Sequence, residues 1–204
     1  STIIGITGGT GGGKTTLLRQ IESLGGVVID CDALYHDLLE NDPKLTENLV
    51  NRFGNILTNG KIDRKKLGNV VFSDPIALQD LNRIAHNFVH TAVLQILEEN
   101  HSILAIDAIA LHESGLGKLC HTTICVVAPK KERIKRLMLR ENITEDYAEK
   151  RISAQKTDNE FMEMCQYTLI NDASVANFQE KCTNLLGEIF PNGSPSGRAG
   201  SEAD

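Results

Sequence analysis

The 204-residue sequence lacks a surplus of positive charge: 21 lysines and arginines face 27 aspartates and glutamates, a formal net charge of −6. Nucleic acid and anionic membrane surfaces both select a basic face, so neither is an expected partner. Local basic clusters can still serve small anionic substrates. The sequence also lacks a C-x-x-C pair. Its five cysteines, at 31, 120, 125, 165 and 182, are odd in number, which argues against disulfides and zinc and for a reducing compartment. No apolar run approaches membrane-spanning length and no basic-then-apolar segment opens the chain, so a cytoplasmic location is expected. Two glycosylation sequons, at Asn142 and Asn192, carry no meaning without secretion. No internal repeat is visible. The 41% hydrophobic and 24% charged fractions are those of an ordinary globular chain of one domain's length.

What the sequence does have is a concentration of glycine. Residues 8–16 run GGTGGGKTT, between a β-branched apolar run at 2–7 and a helical pattern with apolar residues at 17, 18, 21 and 24. Gly8-x-x-x-x-Gly13-Lys14-Thr15 satisfies the phosphate-loop template G-x-x-x-x-G-K-[ST] in the strand–loop–helix context that the motif requires. Such a loop points backbone N–H groups at a polyphosphate, which needs angles that a Cβ resists. The residues expected to cradle the phosphates are Gly9, Gly11, Gly12, Gly13, Lys14, Thr15 and Thr16. Lys14 supplies a mobile charge for the β- and γ-phosphates, and Thr15 a hydroxyl for Mg²⁺. The rival dinucleotide fingerprint fails, because its frame puts Lys14 where the last glycine belongs.

Strand-like runs at 2–7, 26–29, 102–106, 122–127 and 167–170 alternate with helical patterns, which predicts a parallel sheet covered on both faces. Between the second and third runs lie about seventy residues of helical character, including 75–100. A charged helical stretch at 130–164 separates the fourth and fifth. The expected division is a nucleotide-binding core (1–30, 101–128 and 165–190), a helical acceptor-binding insertion (31–100) and a lid (129–164), together one domain over 1–190. Residues 191–204, rich in Gly, Ser and Pro, are expected to be a disordered tail.

Carboxylates and arginines supply candidate chemistry around the loop. Asp30 and Asp32 follow the second strand run, where one could take the proton of an acceptor hydroxyl and the other share the work. The plainer reading is a cap on a helix starting near Ala33. Asp107 ends the third run, as does the second NTPase carboxylate that meets Mg²⁺ directly or through water. Glu113 lies nearby and could equally be an exposed helix residue. Arg133, Arg136 and Arg140 share one helical stripe, and Arg151 and Gln155 repeat the spacing. Arginines on a lid suit a transferring phosphoryl group, whereas Lys130, Lys131 and Lys135 suit a solvated face. His86 and His90 lie four apart, but Asn87 stands where a zinc-protease motif needs glutamate. Gln155-Lys156-Thr157-Asp158 approximates a guanine-reading motif, with Gln in the wrong place and no D-x-x-G switch.

From Ile3 to about Ser174 the sequence resembles the dephospho-CoA kinase family. Thr7–Thr16 fit that family's loop throughout, and Asp30-Cys31-Asp32 its Asp-x-Asp, whose second aspartate is the expected base. Phe53-Gly54, Ile56-Leu57, Gly60, Asp63-Arg64, Leu67-Gly68 and Phe72 meet its middle signature in order and spacing. Leu78–His86, Arg136–Arg140, Arg151-Ile152 with Gln155, and Ile170-Asn171 follow. Three positions depart: Asp107–Glu113 lacks the family's proline and aromatic, Asn87 replaces a proline, and a lysine is missing near Asn159-Glu160. These departures touch the acceptor pocket and lid, and bear more on affinity and rate than on reaction type.

The resemblance implies ATP-dependent, Mg²⁺-assisted phosphorylation of the ribose 3′-hydroxyl of dephospho-CoA, giving CoA and ADP. It implies a P-loop kinase fold of strand order 2-3-1-4-5. Asp32, Lys14 and Arg140 would be catalytic, with Arg136 and Asn171 beside the nucleotide. Asp30, Asp32, Arg64, His86, Asp107 and Arg151 would meet the acceptor. Another small-molecule kinase, a GTPase or a non-catalytic nucleotide-binding module are the alternatives, and oligomeric state stays open.

Overall fold

The computed structural model describes residues 1–191, so the expected tail beyond Pro191 lies outside the described residues. The chain divides into two compact units. The first comprises Ser1–Ile29 and the described residues from Asn100 onward, and the second is Asp30–Glu99.

The first unit is organised by β1 (Thr2–Thr7), α1 (Lys14–Ser23) and β2 (Val27–Asp30) at the start of the chain. After the second unit come β5 (Ile103–Asp107), a 3₁₀ turn at Leu116–Leu119, β6 (Thr122–Val127), α6 (Lys130–Glu141), α7 (Glu145–Ser153), α8 (Asp158–Met164), β7 (Tyr167–Ile170) and α9 (Val175–Ile189). The sheet order is β2-β5-β1-β6-β7, which is the expected 2-3-1-4-5 when its five strands are counted in chain order. β1 runs parallel to β5, with Ile6 beside Asp107, and to β6, with Gly5 beside Thr123. β6 runs parallel to β7. Ile103–Ile106 and Ile124–Val126 are wholly buried, the continuous apolar run expected of parallel strands covered on both faces.

One face packs Ile4, Ile6, Ile124 and Val126 against Leu17 and Ile21 of α1 and Phe178, Cys182 and Leu186 of α9. On the other, Phe161 of α8 covers Cys125 and Val127. Gly5 interrupts β1 because a Cβ there would sit 2.7 Å from Leu111 Cδ2 and 2.8 Å from Cys120 Sγ. The charged stretch expected as a lid is α6, α7 and α8, with α6 and α7 joined through Ile134, Leu137, Ala148 and Ile152. Among the described residues no helix is long and apolar enough to cross a membrane.

The second unit contains α2 (Cys31–Asn41), α3 (Pro43–Phe53), a hairpin of β3 (Leu57–Thr58) and β4 (Lys61–Ile62), α4 (Arg64–Val71) and α5 (Pro75–Leu97). Its own core gathers Leu39, Leu45, Leu49, Phe53, Ile56, Leu67, Val71 and Ala77. The hairpin was not expected from the sequence. Its turn is Asn59-Gly60, at φ 51° and 79°, the two left-handed positions that a tight two-residue connection demands.

Candidate active site

Between the end of β1 at Thr7 and the start of α1 at Lys14, the chain uses positive φ at Gly8 (130°), Gly11 (78°) and Gly13 (103°). A Cβ on Gly8 would lie 2.2 Å from the Val126 carbonyl oxygen, and one on Gly13 2.2 Å from Asn171 Nδ2. Both angle and space therefore require glycine at these two positions. The helix that follows begins at Gly13 with no capping side chain and no acid in its first turn. Its N-terminal N–H groups and positive dipole end are the elements of an anion site.

Side chains shape the loop from outside. Asn171, immediately after β7, is buried and donates from Nδ2 to the Gly12 carbonyl (3.0 Å). Arg136 Nη1 donates to the carbonyls of Gly11 (3.1 Å) and Gly12 (3.2 Å). Since the peptide unit is planar and trans, holding the Gly12 carbonyl on one side turns the Gly13 N–H to the other. Lys14 Nζ donates to the Gly8 carbonyl (3.3 Å) and pairs with Asp107 Oδ1 at 3.2 Å. The structure thus brings together Lys14, Asp107, Arg136 and Asn171 around one loop. What it adds is that Arg136 and Asn171 hold the loop's own backbone.

The loop has beside it oxygen donors of the kind a metal–triphosphate takes. Asp107 offers a carboxylate and Thr15 an exposed hydroxyl, both hard oxygen donors. Among the described residues no group of three or more His, Cys, Asp or Glu could hold a metal ion. Mg²⁺ commonly needs no such cage, since it takes one or two protein oxygens and fills its shell with phosphate and water.

Comparison with known proteins decides the family. A profile described as "Dephospho-CoA kinase" matches residues 2–177. The chain belongs to the dephospho-CoA kinase family. It is similar to the dephospho-CoA kinase of Dehalococcoides mccartyi, 36% identical over 91% of this chain and 96% of the relative. A crystal structure from Thermus thermophilus superposes with a TM-score of 0.78 at 32% identity, covering 92% of this chain and 97% of that one. Dephospho-CoA kinase from Campylobacter jejuni superposes at 0.65 with 28% identity, over 92% and 96% of the two chains.

Within α6–α8, the stretch expected as a lid, the arginines divide into different environments. Arg140 is exposed and pairs with Glu141 (2.5 Å), which also pairs with Arg151. The two guanidinium groups, Arg140 foremost through its hydrogen bond, hold the Glu141 carboxyl below its ordinary value. Arg133 is only 3% exposed. Sequence reasoning put it on the same stripe as Arg136 and Arg140 and assigned it no separate task, and it missed Glu141 altogether. Lys130, Lys131 and Lys135 are exposed, as expected for a solvated face. Glu113 pairs with Lys156.

In the second unit, most of the family's middle signature proves to be architecture. Phe53, Ile56 and Leu67 are core, and Gly54 and Gly60 take positive φ. Asp63 caps α4, accepting from the N–H groups of Lys65 (3.0 Å) and Lys66 (3.1 Å) and from the Thr58 hydroxyl (2.8 Å). Arg64 stands apart: it is exposed, with Glu40 3.9 Å away. Asp30 is the cap of α2, accepting from the N–H groups of Asp32 and Ala33, both at 3.0 Å. Asp32 lies exposed in that helix's first turn, and the helix begins at Cys31, two residues before the expected start. His86 is half-buried on α5, and burial lowers its pKa, which favours the neutral imidazole.

Proposed function

We propose that this chain transfers the γ-phosphoryl group of ATP to the ribose 3′-hydroxyl of dephospho-CoA, releasing CoA and ADP. The observation that carries the proposal is the family match over residues 2–177, which spans the uncapped phosphate loop and the acceptor signature alike. Gly9, Gly11, Gly12, Gly13, Lys14, Thr15 and Thr16 would cradle the triphosphate, with Lys14 neutralising its terminal charge. Thr15, and Asp107 directly or through water, would hold Mg²⁺, which would supply further neutralisation of the triphosphate's charge. Arg140 would leave Glu141 for the transferring group, and Arg136 and Asn171 would keep the loop in shape beside the nucleotide.

For the base we assign Asp32. The carboxylate of Asp30 is committed to the α2 N-terminus, so it is the less suited of the two to take a proton. Arg64, an exposed cation in a signature most of which is packing, turns and a cap, is assigned to an anionic group of the acceptor, together with Arg151 and His86. A reducing, cytoplasmic setting is part of this reading, supported by an odd number of cysteines with no C-x-x-C pair.

The deciding experiment measures ADP release with ATP and Mg²⁺ against dephospho-CoA, shikimate, nucleosides and nucleoside monophosphates. Turnover with dephospho-CoA far above the others is expected. Preference for another acceptor would transfer the chain to a different small-molecule kinase activity, and no turnover would leave a binding module.

A further inference from the structure

Thr10, in the middle of the phosphate loop, has both of its main-chain groups engaged by residues more than a hundred positions away. Its N–H donates to Gln155 Oε1 (2.8 Å), and its carbonyl accepts from Arg133 Nε (2.9 Å). Arg133 donates onward from Nη1 to Asp158 Oδ1 (2.9 Å) and from Nη2 to the same Gln155 oxygen (3.4 Å). The glycines make room for this. A Cβ on Gly9 would lie 2.0 Å from Arg133 Nη2, and one on Gly11 2.8 Å from the Arg133 carbonyl oxygen. Two of the loop's glycines are therefore needed for the fit against α6, independently of any ligand.

The choice of glutamine is informative. A glutamate at 155 would accept the same two hydrogen bonds and would pair with Arg133 more strongly, so fold stability gives no reason for a neutral group. A bound polyphosphate does. A carboxylate on the amide of Thr10 would repel every charge on a ligand held by that loop. Resting on the functional reading above, we propose that Gln155 is a positioning residue for the triphosphate. It fixes the Thr10 peptide by accepting from its N–H and from the buried Arg133, and it does so without adding negative charge to the site.

Two variants and one measurement without a variant test this. For Gln155→Glu we expect a melting temperature equal to or above that of the parent chain. Mg²⁺–ATP affinity by calorimetry should fall at least about tenfold. The loss should be smaller for ADP and absent for adenosine, a charge ladder that a purely structural role would not generate. For Gln155→Met, which removes the acceptor and adds no charge, the ladder should vanish while Thr10 amide exchange accelerates. In the nucleotide-free parent protein the Thr10 amide should exchange slowly. A fast-exchanging Thr10 amide, or equal losses of ATP, ADP and adenosine in Gln155→Glu, or unchanged ATP affinity there, would overturn the proposal. These are binding readouts. If Gln155→Glu shows the ladder while the parent chain does not phosphorylate dephospho-CoA, the proposed function is refuted and this inference stands.

Discussion

The two units of this chain start their helices differently, and the difference narrows to one helix. In Asp30–Glu99 every α-helix opens on an aspartate: Asp30, Asp42, Asp63 and Asp74 cap α2, α3, α4 and α5, and Pro43 and Pro75 occupy first-turn positions. In the first unit α7, α8 and α9 are capped by Thr144, Thr157 and Ser174, and α6, which lacks a cap, has Glu132 in its first turn. Among the described α-helices α1 alone has neither cap nor first-turn acid. A chain that satisfies helix N-termini so consistently leaves one bare where an anion is to bind. The missing cap locates the site as clearly as the glycines do.

The largest test of that contrast compares two neighbouring aspartates. Asp32→Asn should lower kcat with dephospho-CoA by roughly 10²–10⁴, the usual scale for loss of a general base, with melting temperature unchanged. Asp30→Asn should leave both nearly untouched, since asparagine caps about as well, whereas Asp30→Ala should cost about 0.5–2 kcal/mol in denaturant unfolding. Equal rates in Asp32→Asn and the parent would remove Asp32 from the mechanism.

Next in size is Lys14→Ala. Loss of one preorganised charge-stabilising donor should cost about 10²–10³ in kcat. The folded structure should survive, although Asp107 loses its partner at 3.2 Å. Turnover and melting temperature measured on the same preparation separate the two effects.

A smaller, stability-based comparison sets Gly13 against Gly60. Both have positive φ, but a Cβ on Gly60 meets nothing within 4 Å while one on Gly13 strikes Asn171. Gly60→Ala should cost about 1–2 kcal/mol from backbone strain alone. Gly13→Ala should cost more and should also weaken ATP binding, and equal costs would refute the tight fit of Asn171 on the loop.

The smallest effect is a pH dependence at the α4 cap. The Thr58 hydroxyl first, then the Lys66 N–H, with lesser help from the Lys65 N–H, lower the Asp63 pKa. A depressed carboxylate contributes stability above the unfolded value of about 4 and loses it as pH falls through the folded value. Asp63→Asn should therefore be less stable than the parent at neutral pH, with the gap closing below about pH 4. Unfolding curves across that range check it.

The sheet was largely legible because buried parallel strands are written as unbroken apolar runs. β1, β6 and β7 match their expected bounds, and β2 and β5 lie one residue later, each closing on its aspartate. The hairpin at 57–62 escaped because two-residue strands carry no periodicity, although Asn59-Gly60 was in plain view. In the site, the loop could be read residue by residue, since its chemistry is local. Which of Asp30 and Asp32 caps α2 could not, because it depends on where α2 begins to within one residue. Nor could the separation of Arg133 from Arg136 and Arg140. All three share one spacing, and only the space left by Gly9 and Gly11 sends the first inward.

That interlocking has an evolutionary corollary. Position 9 cannot acquire even a methyl group while Arg133 keeps its place, since the two would be 2.0 Å apart. Arg133 in turn cannot shorten without abandoning the Thr10 carbonyl and Asp158. The two sites are coupled: substitution at 9 forces the guanidinium out of its hydrogen bonds, and it should cost least on a background that has already lost the arginine. Mutational paths through this loop are ordered accordingly. A library that randomises residue 9 alone should return glycine, whereas one that randomises 9 and 133 together should recover paired replacements.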